Sequence, residues 1–179
     1  MRYFYDCEFL EDGRTIELIS IGIAAEDGRE YYAVNSDMDH DRISRADWLC
    51  QNVIPHLPLM GSKPGKSFGA NRWIWSLDTS STLVKPKWVI ANEVREFLLA
   101  LPDPELWADY GAYDHVALAQ LFGRMIRLPK GLPMFTREFQ QKWRDAGAPE
   151  LPAQDVGEHD ALADARHLKA RFDHLQEQP

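Results

Sequence analysis

Two carboxylates stand two residues apart in an aromatic, strand-like opening, Arg2-Tyr3-Phe4-Tyr5-Asp6-Cys7-Glu8-Phe9-Leu10. Strand alternation puts Phe4, Asp6 and Glu8 on one face and Tyr3, Tyr5, Cys7 and Phe9 on the other. A strand apolar on both faces is normally central and covered on both sides. Carboxylates side by side on such a face repel each other, and burying them without compensation is costly. A bound cation removes both problems, and hard ions such as Mg²⁺ prefer carboxylate oxygen. A third acid, Asp164, lies four residues before Leu168 in a C-terminal segment where Leu168, Phe172 and Leu175 form a helical stripe. That spacing turns Asp164 toward the core side of the helix. With Asp160 as the helix cap, His159 falls in the preceding loop, free to swing over the same place. A fourth acid comes from Trp107-Ala108-Asp109-Tyr110-Gly111-Ala112-Tyr113-Asp114-His115, where either Asp109 or Asp114 has a suitable position. Asp114 falls in the first turn of a helix starting near Tyr113, where the helix dipole favours an anion.

The elements that must position these groups follow from pattern. Thr15 to Ala25 and Arg29 to Val34 are expected as the second and third strands. The turn signals Glu11-Asp12-Gly13 and Glu26-Asp27-Gly28 make the first three strands an antiparallel series. Ser44 to Leu57 is expected as a helix, with Ser44 as N-cap and Pro58 past its end. Pro86 to Leu99 shows helical spacing in Ile90, Val94, Phe97 and Leu98. Glu105 to Ala108 is expected as a short strand, with helices over 113–122, 136–146 and 160–175 and loop over 147–157. Strands first, then alternating helix and strand, imply an α/β or α+β sheet flanked by helices.

Residues 61–87 show no clear period. They carry Lys63, Lys66, Arg72, Lys85 and Lys87 against Asp78, a net +4 in a chain of net −8, with Phe68, Trp73 and Trp75 in their midst. Basic and aromatic residues together suit a grip on a single nucleic-acid strand or a subunit interface.

At 179 residues with 45% hydrophobic content, the chain is expected to form one domain, 1–179, with a substantial core. No apolar run approaches the roughly 20 residues that span a bilayer. Nothing at the N-terminus reads as a signal peptide. Cys7 and Cys50 are too few for a disulfide framework, so a cytoplasmic setting is expected. A net charge of −8 argues against non-specific duplex binding, which depends on phosphate neutralisation.

Taken in order, these groups resemble a known family. Asp6-Cys7-Glu8 resembles the DxE motif of the DEDD 3′-to-5′ exonucleases, and Gly111-Ala112-Tyr113-Asp114 resembles their second motif. His159-Asp160-Ala161-Leu162-Ala163-Asp164 fits the third motif of the histidine-containing (DEDDh) branch, the ribonuclease T, oligoribonuclease and proofreading-subunit group. Size and the Asp6-Cys7-Glu8-Phe9 opening look closest to the small polyadenylate-specific 3′-exoribonucleases. Two departures, Asp109-Tyr110 where His-Asn is frequent and Phe9-Leu10 after DxE, lie near the expected place of the terminal nucleotide.

The resemblance implies a ribonuclease-H-like α/β domain with a mixed five-stranded sheet. It implies that Asp6, Glu8, Asp114 (rather than Asp109) and Asp164 hold two Mg²⁺ or Mn²⁺ ions and that His159 is the general base. Free imidazole titrates near ~6.5, which suits that role. The implied reaction releases nucleoside 5′-monophosphates from the 3′ end of single-stranded RNA, with an adenylate preference in the narrower group. A homodimer is implied, in which residues 61–87 reach the partner's site. Phe9, Leu18 and His115, with Glu8, are expected around the last nucleotide, and Trp75 against the strand. The alternatives are a DNA exonuclease of the same branch and a non-catalytic RNA-end-binding protein keeping the fold.

Overall fold

The computed structural model describes residues 1–177 except 62, 68 and 70. Strands β1 (Arg2–Glu11), β2 (Ile16–Ala25) and β3 (Glu30–Asn35) form the expected antiparallel series. The first turn is set by the Asp12 carboxylate, which accepts from the backbone N–H groups of Arg14 at 2.9 Å and Thr15 at 2.7 Å. Two short helices follow, α1 (His40–Ile43) and α2 (Asp47–Asn52), and then a 3₁₀ turn over Ile54–His56. Ser44 therefore ends α1 and does not cap the single helix expected from 44 to 57. Asp39 supplies the α1 cap, its carboxylate accepting from the Arg42 N–H.

Within 61–87 lie three two-residue strands, β4 (Gly65–Lys66), β5 (Trp73–Ile74) and β6 (Val84–Lys85), so this stretch carries more order than its composition signals. Phe68 lies outside the described residues. Then come α3 (Lys87–Leu98), β7 (Glu105–Ala108), α4 (Ala112–Leu121), a 3₁₀ turn (Met125–Arg127), β8 (Arg137–Glu138), α5 (Phe139–Asp145) and α6 (Ala161–Glu177). The helix expected from residue 136 thus begins only at Phe139, because Arg137 and Glu138 pair with β7.

The main sheet has six strands in the order β6-β3-β2-β1-β7-β8, one more than the five expected. The discrepancy lies in the two-residue edge strands, too short to leave an alternating pattern. The pairings β6–β3, β1–β7 and β7–β8 are parallel, and β3–β2 and β2–β1 antiparallel, so the sheet is mixed.

β1 is central, and its two faces part as alternation requires. Tyr3, Tyr5 and Cys7 join Ile90, Val94, Leu98, Ala117 and Leu118 of α3 and α4 in one core. Phe4 joins Trp107, Phe139, Leu168, Phe172 and Leu175 on the opposite face, under α5 and α6. Burying each large apolar side chain of that stripe contributes about 1.5–3 kcal/mol. The half-exposed Arg166–Glu30 ion pair, also linking α6 to the sheet, belongs to a class contributing at most about 1 kcal/mol. Apolar packing therefore fixes where α6 lies. A third cluster gathers α1, α2 and the 3₁₀ turn over Ile19 and Val34, and it includes Trp75.

Candidate active site

Register brings α6 onto the two acids of β1. Asp6 pairs directly with Gly22 of β2, and Glu8 with Ser20, so all four residues share the α6 face. A Cβ built on Gly22 would lie 2.3 Å from the Ala161 carbonyl carbon and the Leu162 nitrogen. The first turn of α6 thus rests on the glycine opposite Asp6, an approach that no other residue permits. This turn carries Asp164. Asp160 caps the helix, its Oδ1 accepting from the N–H groups of Leu162 at 3.0 Å and Ala163 at 2.9 Å.

His159 sits in the preceding loop as expected, in the left-handed region at φ 67°. Its backbone N–H donates to Asp164 Oδ2 at 2.9 Å, while Gln154 Nε2 donates to Oδ1 at 2.6 Å. The His159 ring meets the half-exposed ring of Trp48 edge-on, with centroids 4.8 Å apart. Glu8, His159 and Asp164 offer ligand atoms that all lie within 4.8 Å of one another. Asp6, His159 and Asp164 line one cavity of about 530 Å³.

Asp114 approaches from α4, on the other side of β1. Buried, it accepts the Cys7 N–H on Oδ1 at 2.8 Å, at the residue between Asp6 and Glu8. The turn before α4 is held by Glu138, whose carboxylate accepts from the N–H groups of Tyr110 and Gly111, each at 2.9 Å. Asp109, the alternative by spacing, lines the cavity but has other partners. Its carboxylate takes Gln140 Nε2 at 2.7 Å and the Arg171 guanidinium.

Asp6, Glu8, Asp114 and Asp164 form no ion pair with Lys or Arg among the described residues. Burial lifts all four above the ordinary carboxylate range. For Asp6 the next cause is repulsion from Asp114 and then Glu8. Glu8 is pushed up to about 8 by burial and then by Asp164 and Asp114. Asp114 reaches about 7, its rise held back by the Cys7 N–H. Asp164 is raised less freely, because the donors Gln154 and His159 favour its charged form. Arg171 lines the same cavity, held by Asp109, and carboxylates without a cation of their own are donors that hard divalent ions favour.

The expected nucleotide-facing residues fare differently. Phe9 is half-buried, and its ring meets Tyr113 edge-on at 6.0 Å. Leu18 is core, 2% exposed. The register passes from Glu8–Ser20 to Phe9–Leu18, leaving Ile19 as the extra residue of a bulge and turning Leu18 beneath Phe9. His115 is half-buried, and its Nδ1 meets the Thr136 hydroxyl at 3.0 Å. Trp75 is 7% exposed, with its ring 4.0 Å from His40, so it has no face free for a base. Sequence reasoning missed Trp48, Gln154, Glu138 and Gly22. Only Gly22, a glycine inside a strand, left a signal of close approach.

A carboxylate-lined cavity on a mixed α/β sheet, with an imidazole at its edge, offers groups that can hold a cation and move a proton. Residues 1–175 match the family described as the 3′-5′ exoribonuclease Rv2179c-like domain, and the chain belongs to that family. Two relatives from Mycobacterium tuberculosis are each 46% identical over 174 residues, covering 96% of this chain and 91% of the relative. They are 3′-5′ exoribonuclease Rv2179c from strain H37Rv and 3′-5′ exoribonuclease MT2234.1 from strain CDC 1551.

Proposed function

We propose that this chain is a 3′-to-5′ exoribonuclease releasing nucleoside 5′-monophosphates from single-stranded RNA, with a DEDDh-type site on a ribonuclease-H-like fold. One observation carries the reading: acids from β1, α4 and α6 and one histidine converge, the acids without a Lys or Arg ion pair among the described residues, in a chain of the Rv2179c-like family. Asp6, Glu8, Asp114 and Asp164 would hold two divalent cations, Mg²⁺ or Mn²⁺. Such ions supply Lewis-acid stabilisation of the charge that develops on a phosphoryl group.

His159 accepts a proton from the attacking water and passes it to solvent. The water oxygen bonds to phosphorus as the P–O3′ bond breaks, and the departing 3′-oxygen takes a proton from solvent. Asp164 and Gln154 hold the loop bearing His159, so the imidazole is presented by hydrogen bonds and not by a helix. Phe9 and Tyr113 offer aromatic surface to the terminal base.

The test is release of 5′-mononucleotides from a 3′-labelled RNA with Mn²⁺ or Mg²⁺ and with EDTA. Metal-dependent mononucleotide release is expected, and endonucleolytic fragments would refute the reading. Parallel assays with poly(A), other homopolymers and DNA oligomers decide the adenylate preference and the choice of sugar. A homodimer remains part of the proposal, to be read by light scattering.

A further inference from the structure

Beside the carboxylate site lies a second, larger cavity of about 660 Å³, walled by β8, the residues before it and α5. Phe135 stands at its mouth, 60% exposed. The Arg137 guanidinium lies over two rings, 5.8 Å from the centre of Trp107 and 5.9 Å from that of Phe135. Its Nε also meets Glu105 at 3.4 Å, leaving its terminal nitrogens for a phosphate. Lys142 reaches in from α5. Two acids also line the cavity. Glu138 is already engaged by the backbone of Tyr110 and Gly111, and Asp145 sits at the end of α5.

Hydrogen bonds join the linings of the two cavities. Thr136, between Phe135 and Arg137, meets the hydroxyl of Tyr5 at 2.6 Å, and Tyr5 lines the carboxylate cavity. Glu138 fixes the backbone of Tyr110, which lines that same cavity and holds its ring 70% exposed. An exposed phenyl ring thus stands at one cavity and an exposed phenol at the other. Arg137 and Lys142 line the outer cavity, and Asp6 and Asp164 line the inner one, where Arg171 is held by Asp109.

Resting on the exoribonuclease reading above, we propose that the outer cavity is an upstream subsite for single-stranded RNA. A base of the RNA body stacks on Phe135 and its phosphate meets Arg137 and Lys142, while the strand crosses Tyr110 to put its 3′ end at the carboxylates. Stacking reads any base, so this subsite gives processive grip without sequence preference. It also sets a minimum length below which the substrate cannot reach both places.

The experiment measures KM for adenylate oligomers of two and of eight nucleotides. Wild type is expected to favour the octamer. Phe135→Ala and the double variant Arg137→Gln/Lys142→Gln are each expected to shrink that advantage about tenfold. Anisotropy of the same 5′-labelled oligomers, with EDTA and no turnover, reads binding separately. There the double variant should also flatten the salt dependence of octamer binding. Wild-type length dependence retained in both variants overturns the subsite. Length-dependent binding lost in the variants of a protein that cleaves no RNA upholds the subsite and refutes the nuclease. If Phe135→Ala instead converts a dimer to monomer in light scattering with RNA binding intact, the cavity is a subunit interface and the proposal falls.

Discussion

The carboxylate site and the basic stretch at 61–87 were the two most charged features of the sequence, and the fold treats them in opposite ways. In the basic stretch three of the five cations have ion-pair partners among the described residues. Lys66 pairs with Asp47 at 3.0 Å, Arg72 with Asp41 at 3.0 Å, and Lys85 with Glu93 at 2.6 Å. Its tryptophans turn inward, with the Trp73 indole donating to Asp47 at 2.8 Å and Trp75 buried. At the carboxylate site four acids are brought together without a Lys or Arg ion-pair partner among the described residues, and Arg171, the cation lining the same cavity, is taken by Asp109. Composition marks where charge lies along the chain. The fold decides which of those charges meet a partner within the chain.

The strongest test of this contrast removes a charge from each acid. Asp6→Asn and Asp164→Asn should each abolish turnover at saturating Mg²⁺ or Mn²⁺. Asp6→Asn should leave the metal-free protein at least as heat-stable by relieving repulsion. Asp164→Asn gives up one of the two oxygens that accept from Gln154 and His159 and should lower stability. A variant retaining near wild-type turnover would end the assignment of that residue.

His159→Ala should lower kcat by roughly 10²–10⁴ with a much smaller change in binding. His115→Ala, altering a residue bonded to Thr136 rather than one facing the acids, should not reproduce that fall. Equal losses in both would remove the distinction between them.

Gly22→Ala forces a Cβ into the backbone of α6. Displacing α6 by about 1 Å is expected to lower kcat on the order of 10²-fold, alongside a loss of thermal stability. An unchanged rate would show that α6 tolerates displacement at its first turn.

The pH dependence of stability sharpens the same contrast. Glu8 rises from 4.5 in the unfolded chain to about 8 when folded, and Asp114 from 3.8 to about 7. Raised values mean that the folded protein holds these protons longer, so their stabilisation is full below about pH 4 and is lost as pH rises through 7 to 8. In EDTA the melting temperature should fall over that window, and Mn²⁺ should restore it. A flat profile in EDTA would show that the acids are already compensated.

The smallest functional effect is expected in the basic stretch. Trp75→Ala should cost about 3–5 kcal/mol of stability, as core truncations do, with no loss of RNA affinity in the fraction that stays folded. Lys66→Ala should leave the salt dependence of RNA binding nearly unchanged, since its charge is already paired. A clear flattening would return residues 61–87 to the substrate path.

How much was legible follows from the range of each signal. Alternation in residues 2–10 was enough to sort Asp6 and Glu8 from Tyr3, Tyr5 and Cys7, because side-chain direction in a strand has a period of two. The stripe Leu168–Phe172–Leu175 was enough to turn Asp164 toward the sheet, because helical direction has a period of 3.6 residues. Those facts, with Asp160 as a cap, assembled most of the candidate site. Tertiary structure alone decided the rest. Spacing left Asp109 and Asp114 alike and the resemblance favoured Asp114, whereas their different partners, Arg171 and the Cys7 backbone, lie 62 and 107 residues away. The bulge at Ile19 decided that Leu18 is core, and pairing across the sheet decided that Gly22 faces Asp6. Whether Trp75 or Phe135 is exposed depended on which surfaces other elements cover. Local periodicity fixes where a side chain points, but only the assembled fold determines what stands there to meet it.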